Sequence, residues 1–141
     1  MNYSRPLDFG RQQTTIQAAP AVATDAVFTT SAQYLHQIVA IRFTLVTDAN
    51  VANRLITITL DDAGTVLWQV AANAAQTAGQ TIIYNASPNL PGTGIATRLS
   101  HIPIPHPDAF AGVMNIRTST TNLQAGDQYT GIQLTEKIWI P

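Results

Sequence analysis

Three histidines, seven aspartates, one glutamate and no cysteine are what this 141-residue chain offers to acid–base, nucleophilic or metal chemistry. His106 lies in Pro105-His106-Pro107-Asp108, two residues from a carboxylate. A metal centre wants a third ligand near such a pair, and the sequence shows none at ligand spacing. A surface loop histidine is the simpler account. His36 opens a strand and reads as a boundary residue, and His101 receives no role. Asp61-Asp62 is a carboxylate pair, but neighbours in a hairpin turn point apart. Glycoside hydrolysis needs two carboxylates facing one another across roughly 5–10 Å. The same turn lacks the further oxygen ligands that calcium requires. No Gly-x-Ser-x-Gly elbow is present, and Gly92-Thr93-Gly94 lacks the third glycine of a dinucleotide loop. The residues therefore point to a protein that is not an enzyme and that needs no metal and no cofactor. Among the aromatic side chains, Trp68 falls on a core face. Trp139 falls opposite Ile138 and Ile140, where it either anchors a subunit contact or caps the open end of the fold.

Composition supports a binding surface over a reactive one. Charged residues make up 11% of the chain, against roughly 25% in ordinary soluble domains. Lys137 is the sole lysine and Glu136 the sole glutamate. A surface of Thr, Ala, Gln and Asn loses little side-chain entropy when covered and has few charges to desolvate. Such a surface suits burial by neighbours. The net charge of −1 leaves no electrostatic footprint for nucleic acid. No apolar run approaches the roughly 20 residues of a membrane-spanning helix. Residues 1–10 carry no apolar stretch of the signal-peptide kind, which leads us to expect a protein made and used without export.

Length predicts one domain. Residues 1–33 are polar and then Ala/Thr-rich, and they read as an extended N-terminal arm with a first short strand near Val27–Thr30. The alternative is a plain edge strand of the same domain. From residue 34 to 141 the period is that of β-strands. Ile41, Phe43 and Leu45 alternate with Arg42 and Thr44. Ile56, Ile58 and Leu60 share a face, and Asp61-Asp62-Ala63-Gly64 turns the chain into Thr65–Val70, where Val66, Trp68 and Val70 share a face. Residues 71–80 form one helical turn or a loop. Further strands follow over Thr81–Ala86, Ile95–Ile104 and Gly112–Thr118, and the prolines at 103 and 105 suit an edge or exit segment. The corner Asn122-Leu123-Gln124-Ala125-Gly126-Asp127 then leads into Tyr129–Ile140. There Gly126 is expected to supply a positive φ, and Asp127 to accept nearby backbone N–H groups. Glu136 interrupts the apolar face of that last strand and needs a partner or solvent. Seven or eight short strands without an amphipathic helix predict an all-β fold: a single antiparallel β-sandwich, jelly-roll-like.

The run Ala40-Ile41-Arg42-Phe43-Thr44-Leu45-Val46-Thr47-Asp48-Ala49-Asn50-Val51-Ala52-Asn53-Arg54 resembles small virion proteins of tailed bacteriophages. So does Leu-Gln-Ala-Gly-Asp-Gln-Tyr with the Ile-Arg-Thr before it. The resemblance covers about residues 35 to 137 as a loose pattern. It implies a capsid decoration (cement) protein on the virion surface, made in the host cytoplasm. Its partners would be the major capsid protein and its own copies, as a homotrimer. The alternative it implies is a tail, fibre or spike module that binds a host receptor or surface carbohydrate. On this reading Tyr129 and Trp139 are the expected subunit contacts. Tyr3, Arg5, Leu7, Phe9 and Arg11 are the expected capsid contacts of the arm.

Overall fold

A computed structural model describes residues 10–105 and 109–140. Ten strands make up the fold among the described residues: β1 (Arg11–Gln17), β2 (Val27–Thr29), β3 (Leu35–Val46), β4 (Ile56–Asp62), β5 (Thr65–Ala71), β6 (Thr81–Ser87), β7 (Leu99–Pro103), β8 (Phe110–Ala111), β9 (Asn115–Thr120) and β10 (Gln128–Trp139). Among the described residues there is no helix, so residues 72–80 are loop. One sheet has the order β1-β10-β3-β6-β7, with β8 also on β3; the other has the order β2-β9-β4-β5.

The pairing is nested. β4 pairs β5, β3 pairs β6, β2 pairs β9 and β1 pairs β10, all antiparallel. The chain is thus one long hairpin rolled on itself, its tip at Ala63-Gly64, which is the jelly-roll arrangement of a β-sandwich. One pair departs from the antiparallel expectation. β7 runs parallel to β6, because residues 88–98 carry the chain back before it pairs. That strand is shorter than expected, since Ala96–Leu99 form a tight turn. As anticipated from its prolines, β7 lies at a sheet edge.

The tip turn follows its sequence. Ala63 (φ 47°) and Gly64 (φ 92°) both adopt left-handed conformations, which a two-residue type I′ hairpin requires. Alanine tolerates this poorly. Ala63→Asn is therefore expected to raise stability by about 0.5–1 kcal/mol, read as a higher urea midpoint with an unchanged slope.

Alternation fixes which side chains enter the core, and bulges reset it twice. In β3, Ile41, Phe43 and Leu45 are buried, yet so are His36 and Ile38. The pairing with β10 slips between Thr135 and Glu136, so Val39 is left over and the parity changes. In β10 a second slip places Gly131 (φ 57°) at a bulge, which puts Tyr129 and Ile132 on the same inner face. Phe43 stacks on Tyr84 at 5.3 Å and meets Tyr129 edge-on at 5.5 Å. Ile56, Ile58, Leu60, Phe28 and Ile116 close this core from the other sheet. Trp68 and Val70 pack against the core as expected. Val66 does not share their environment and is 51% exposed, because a bulge opposite Leu60 inserts Leu67 into β5.

The proposed arm over 1–33 is narrowed by this pairing. Arg11–Gln17 ladders along β10 and Val27–Thr29 along β9, so these segments lie on the sandwich and not free of it. β1 nevertheless overhangs. Six of its seven residues are exposed, Gln13 is half-buried, and among the described residues no strand lies beside its outer edge.

Candidate functional site

The densest polar chemistry lies where the β3–β4, β5–β6 and β9–β10 loops meet. Arg54 ends the turn-rich connector from residue 47. A two-way backbone bridge to Gln76, 2.9 Å in each direction, holds it there. Its side chain is fully buried. Nε donates to Asp127 Oδ2 at 2.9 Å, and Nη2 donates to Asp127 Oδ1 at 3.0 Å and Asp48 Oδ1 at 2.8 Å. Nη1 donates to the carbonyls of Asn50 (3.0 Å) and Ala52 (2.8 Å). All five guanidinium N–H groups are thereby engaged. Asp127 also accepts the backbone N–H groups of Gln124 (2.8 Å) and Asp48 (2.9 Å). Burial alone would raise the Asp127 pKa, but Arg54 and these two N–H groups more than offset it and hold the carboxyl below its ordinary range. Asp127, hydrogen bonding most strongly and set against the cost of burial, keeps the Arg54 pKa above its usual value.

The expected backbone role of Asp127 is thus present, with the arginine as an added partner. The positive φ in this corner belongs to Asn122 (54°) and not to Gly126. Gly126 is needed for another reason: a Cβ there would stand 2.8 Å from Asp48 Cβ. Beside the knot, buried Gln76 donates to the carbonyls of Leu45 (2.9 Å) and Gln80 (3.0 Å) and accepts from Tyr84 Oη (3.1 Å). Burial pushes the phenols of Tyr84 and Tyr129 well above their ordinary pKa. With every donor of Arg54 in use, this assembly ties loops together.

At the opposite end of β3, His36 stands second in the strand, at its boundary, and is fully buried. Its Nδ1 lies 2.6 Å from Glu136 Oε2 and its Nε2 lies 2.7 Å from the Ser31 carbonyl. A carbonyl only accepts, so Nε2 carries a proton. Phe110 stacks on the ring at 5.8 Å. The partner that Glu136 required is therefore this histidine, together with Gln13, whose Nε2 donates to Oε1 at 3.0 Å. Both ring nitrogens and both carboxylate oxygens are occupied.

The remaining sequence candidates disperse. Asp61 is buried, accepts the Gly64 N–H at 2.9 Å and sits 3.0 Å from Arg117 Nε, while Asp62 is exposed. His101 is half-buried in β7. His106 and Asp108 lie outside the described residues, as do Tyr3, Arg5, Leu7 and Phe9. Arg11 is exposed at the start of β1, where its Nη2 donates to Gln13 Oε1 at 3.3 Å. Among the described residues no three His, Asp or Glu side chains gather as a metal site. Tyr129 is wholly inside the monomer, its hydroxyl on Thr120, so its ring offers nothing to a neighbouring subunit. Trp139 is half-buried, packs over Gly10 and carries Lys137 Nζ 5.5 Å from its ring centroid.

What stays open is surface. β5, of sequence TVLWQVA, is an uncharged sheet edge with Val66 and Leu67 each 51% exposed. β1 is a polar edge with Ile16 76% exposed. Sequence reading missed Arg54. The signal available was a lone arginine closing a connector that also holds Asp48, six residues earlier. No family model, no curated protein and no solved structure matches this chain.

Proposed function

We propose that this chain is a non-enzymatic virion protein, a decoration (cement) subunit that binds the major capsid protein of a tailed phage on the capsid surface and assembles there with its own copies as a trimer. The observation that carries this reading is β1. It is a seven-residue strand that, among the described residues, pairs along one side only, and six of its seven residues are exposed. It carries a single charge, Arg11, and no proline, so nothing blunts its edge against strand addition. Residues 1–9 run directly into it. The charge-poor exterior and the uncharged β5 edge support the same reading, since both lower the cost of being covered.

Deleting residues 1–9 tests it while sparing the ladder; deletion through residue 30 would remove β1 and β2 and with them part of both sheets. The full chain is expected to elute as a trimer by light scattering and to cosediment with purified heads of the phage that encodes it. The truncated chain should keep its melting temperature and lose the heads. Failure of the full chain to bind heads removes the decoration reading.

A further inference from the structure

A second surface, remote from β1, has the make-up of a ligand site. A cleft of about 500 Å³ lies between the start of β6 and the turn before β7, lined by Gly79, Gln80, Thr81, Ile82, Ile95, Thr97 and Arg98. Its volume is in the range that holds small ligands. Its chemistry is one-sided, because the lining has no carboxylate. Arg98 is exposed and has no ion-pair partner among the described residues. Gln80 Oε1 accepts the Thr77 backbone N–H at 3.1 Å. That bond fixes which end of the amide is oxygen and leaves the Nε2 hydrogens without an acceptor among the described residues. The hydroxyls of Thr81 and Thr97 add donors that are not used within the described chain.

The turn holding Arg98 is rigid and costly. Ala96 and Leu99 exchange both backbone bonds at 2.9 Å around Thr97 (φ 49°) and Arg98 (φ 66°). Two consecutive non-glycine residues in this region, one of them β-branched, are strained. A further bond, from Ile83 N–H to the Arg98 carbonyl at 2.9 Å, locks the turn against β6. The arginine is thus held at the mouth of the cleft by a fixed backbone.

We propose that this cleft binds a carboxylated sugar. The planar guanidinium matches a carboxylate in a forked pair. The Gln80 amide and the two threonine hydroxyls meet ring oxygens and hydroxyls, and Ile95 lies beneath the apolar face of the ring. The inference stands independently of the capsid reading, because none of these residues belongs to β1 or its ladder.

The test is titration of the full-length protein with D-glucuronate and N-acetylneuraminate, with D-glucose and inorganic phosphate as controls, followed by calorimetry and amide chemical shifts. Saturable binding of an acidic sugar is expected, with shifts confined to residues 79–82 and 95–98. Arg98→Gln, exposed and therefore neutral to folding, should weaken binding about tenfold or more at an unchanged melting temperature. Glucose should bind no better than to that variant. The proposal is overturned if neither acidic sugar binds, or if Arg98→Gln binds as well as the native chain. Equal binding of glucose, or equally effective competition by phosphate, overturns it too.

Discussion

Arg54→Met is expected to cost about 3–5 kcal/mol of folding stability, because it leaves Asp127 and Asp48 beside a buried volume with no counter-charge. The loss extends beyond one ion pair. The carbonyls of Asn50 and Ala52 lose their donor as well, and the β3–β4 and β9–β10 loops lose a side-chain tie, while the backbone bridge to Gln76 remains. Urea unfolding at pH 7 measures it; a cost under about 1 kcal/mol would mean that the knot behaves as an exposed pair. The pH dependence gives a sharper signature. The folded-state pKa of Asp127 lies below its unfolded value. Its contribution is therefore fully present above the unfolded value near ~3.9 and is lost as pH falls through the folded value. The native chain should lose this stability in the acid range. Arg54→Met lacks the interaction already, so the gap between the two should narrow as pH drops below about 4.

Glu136→Ala is the second large effect. His36 would keep its Ser31 contact but lose the partner of Nδ1 in a dry site between Phe110 and Tyr34. Breaking one side of a buried pair costs about 3–5 kcal/mol, whereas replacing both sides with apolar groups of similar size is often near neutral. The double variant His36→Leu/Glu136→Leu should therefore be more stable than Glu136→Ala. A double-mutant cycle by urea denaturation reads the difference. Strict additivity of the two changes would show that the groups are not coupled. Gln13 also loses its acceptor in Glu136→Ala, so β1 should exchange its amide hydrogens faster in that variant.

Much of the sandwich could be read from period and turns, and the misreadings share a cause. Alternation in Ile41–Leu45 and Ile56–Leu60 and the Ala63-Gly64 tip depend on neighbours within a few residues, so they are visible locally. The bulges at Val39, Gly131 and Leu67 depend on which strand lies alongside, and nothing within the strand reports that. Local alternation alone puts Val66 with Trp68 for this reason. Because its residues are mostly polar, β1 reads as an extended arm or an edge strand alike; its ladder to β10 leaves no trace in side-chain pattern. The buried polar groups were hidden by sequence distance. Arg54 and Asp127, and His36 and Glu136, meet only when the roll closes. Glu136 alone announced itself, as a charge on an apolar face.

The nesting of strand pairs also bears on how the chain can reach this state. Joining β1 to β10 directly would close the longest loop in the protein, and its entropy would be lost before any long contact repaid it. Zippering from the Ala63-Gly64 tip avoids that. Once β4–β5 forms, β3 and β6 are separated by a short effective loop, and each rung brings the next within reach. The rung farthest from the tip, β1 on β10, is then expected to close last. A strand that detaches without melting the rest of the roll is one that can be exchanged between neighbouring copies.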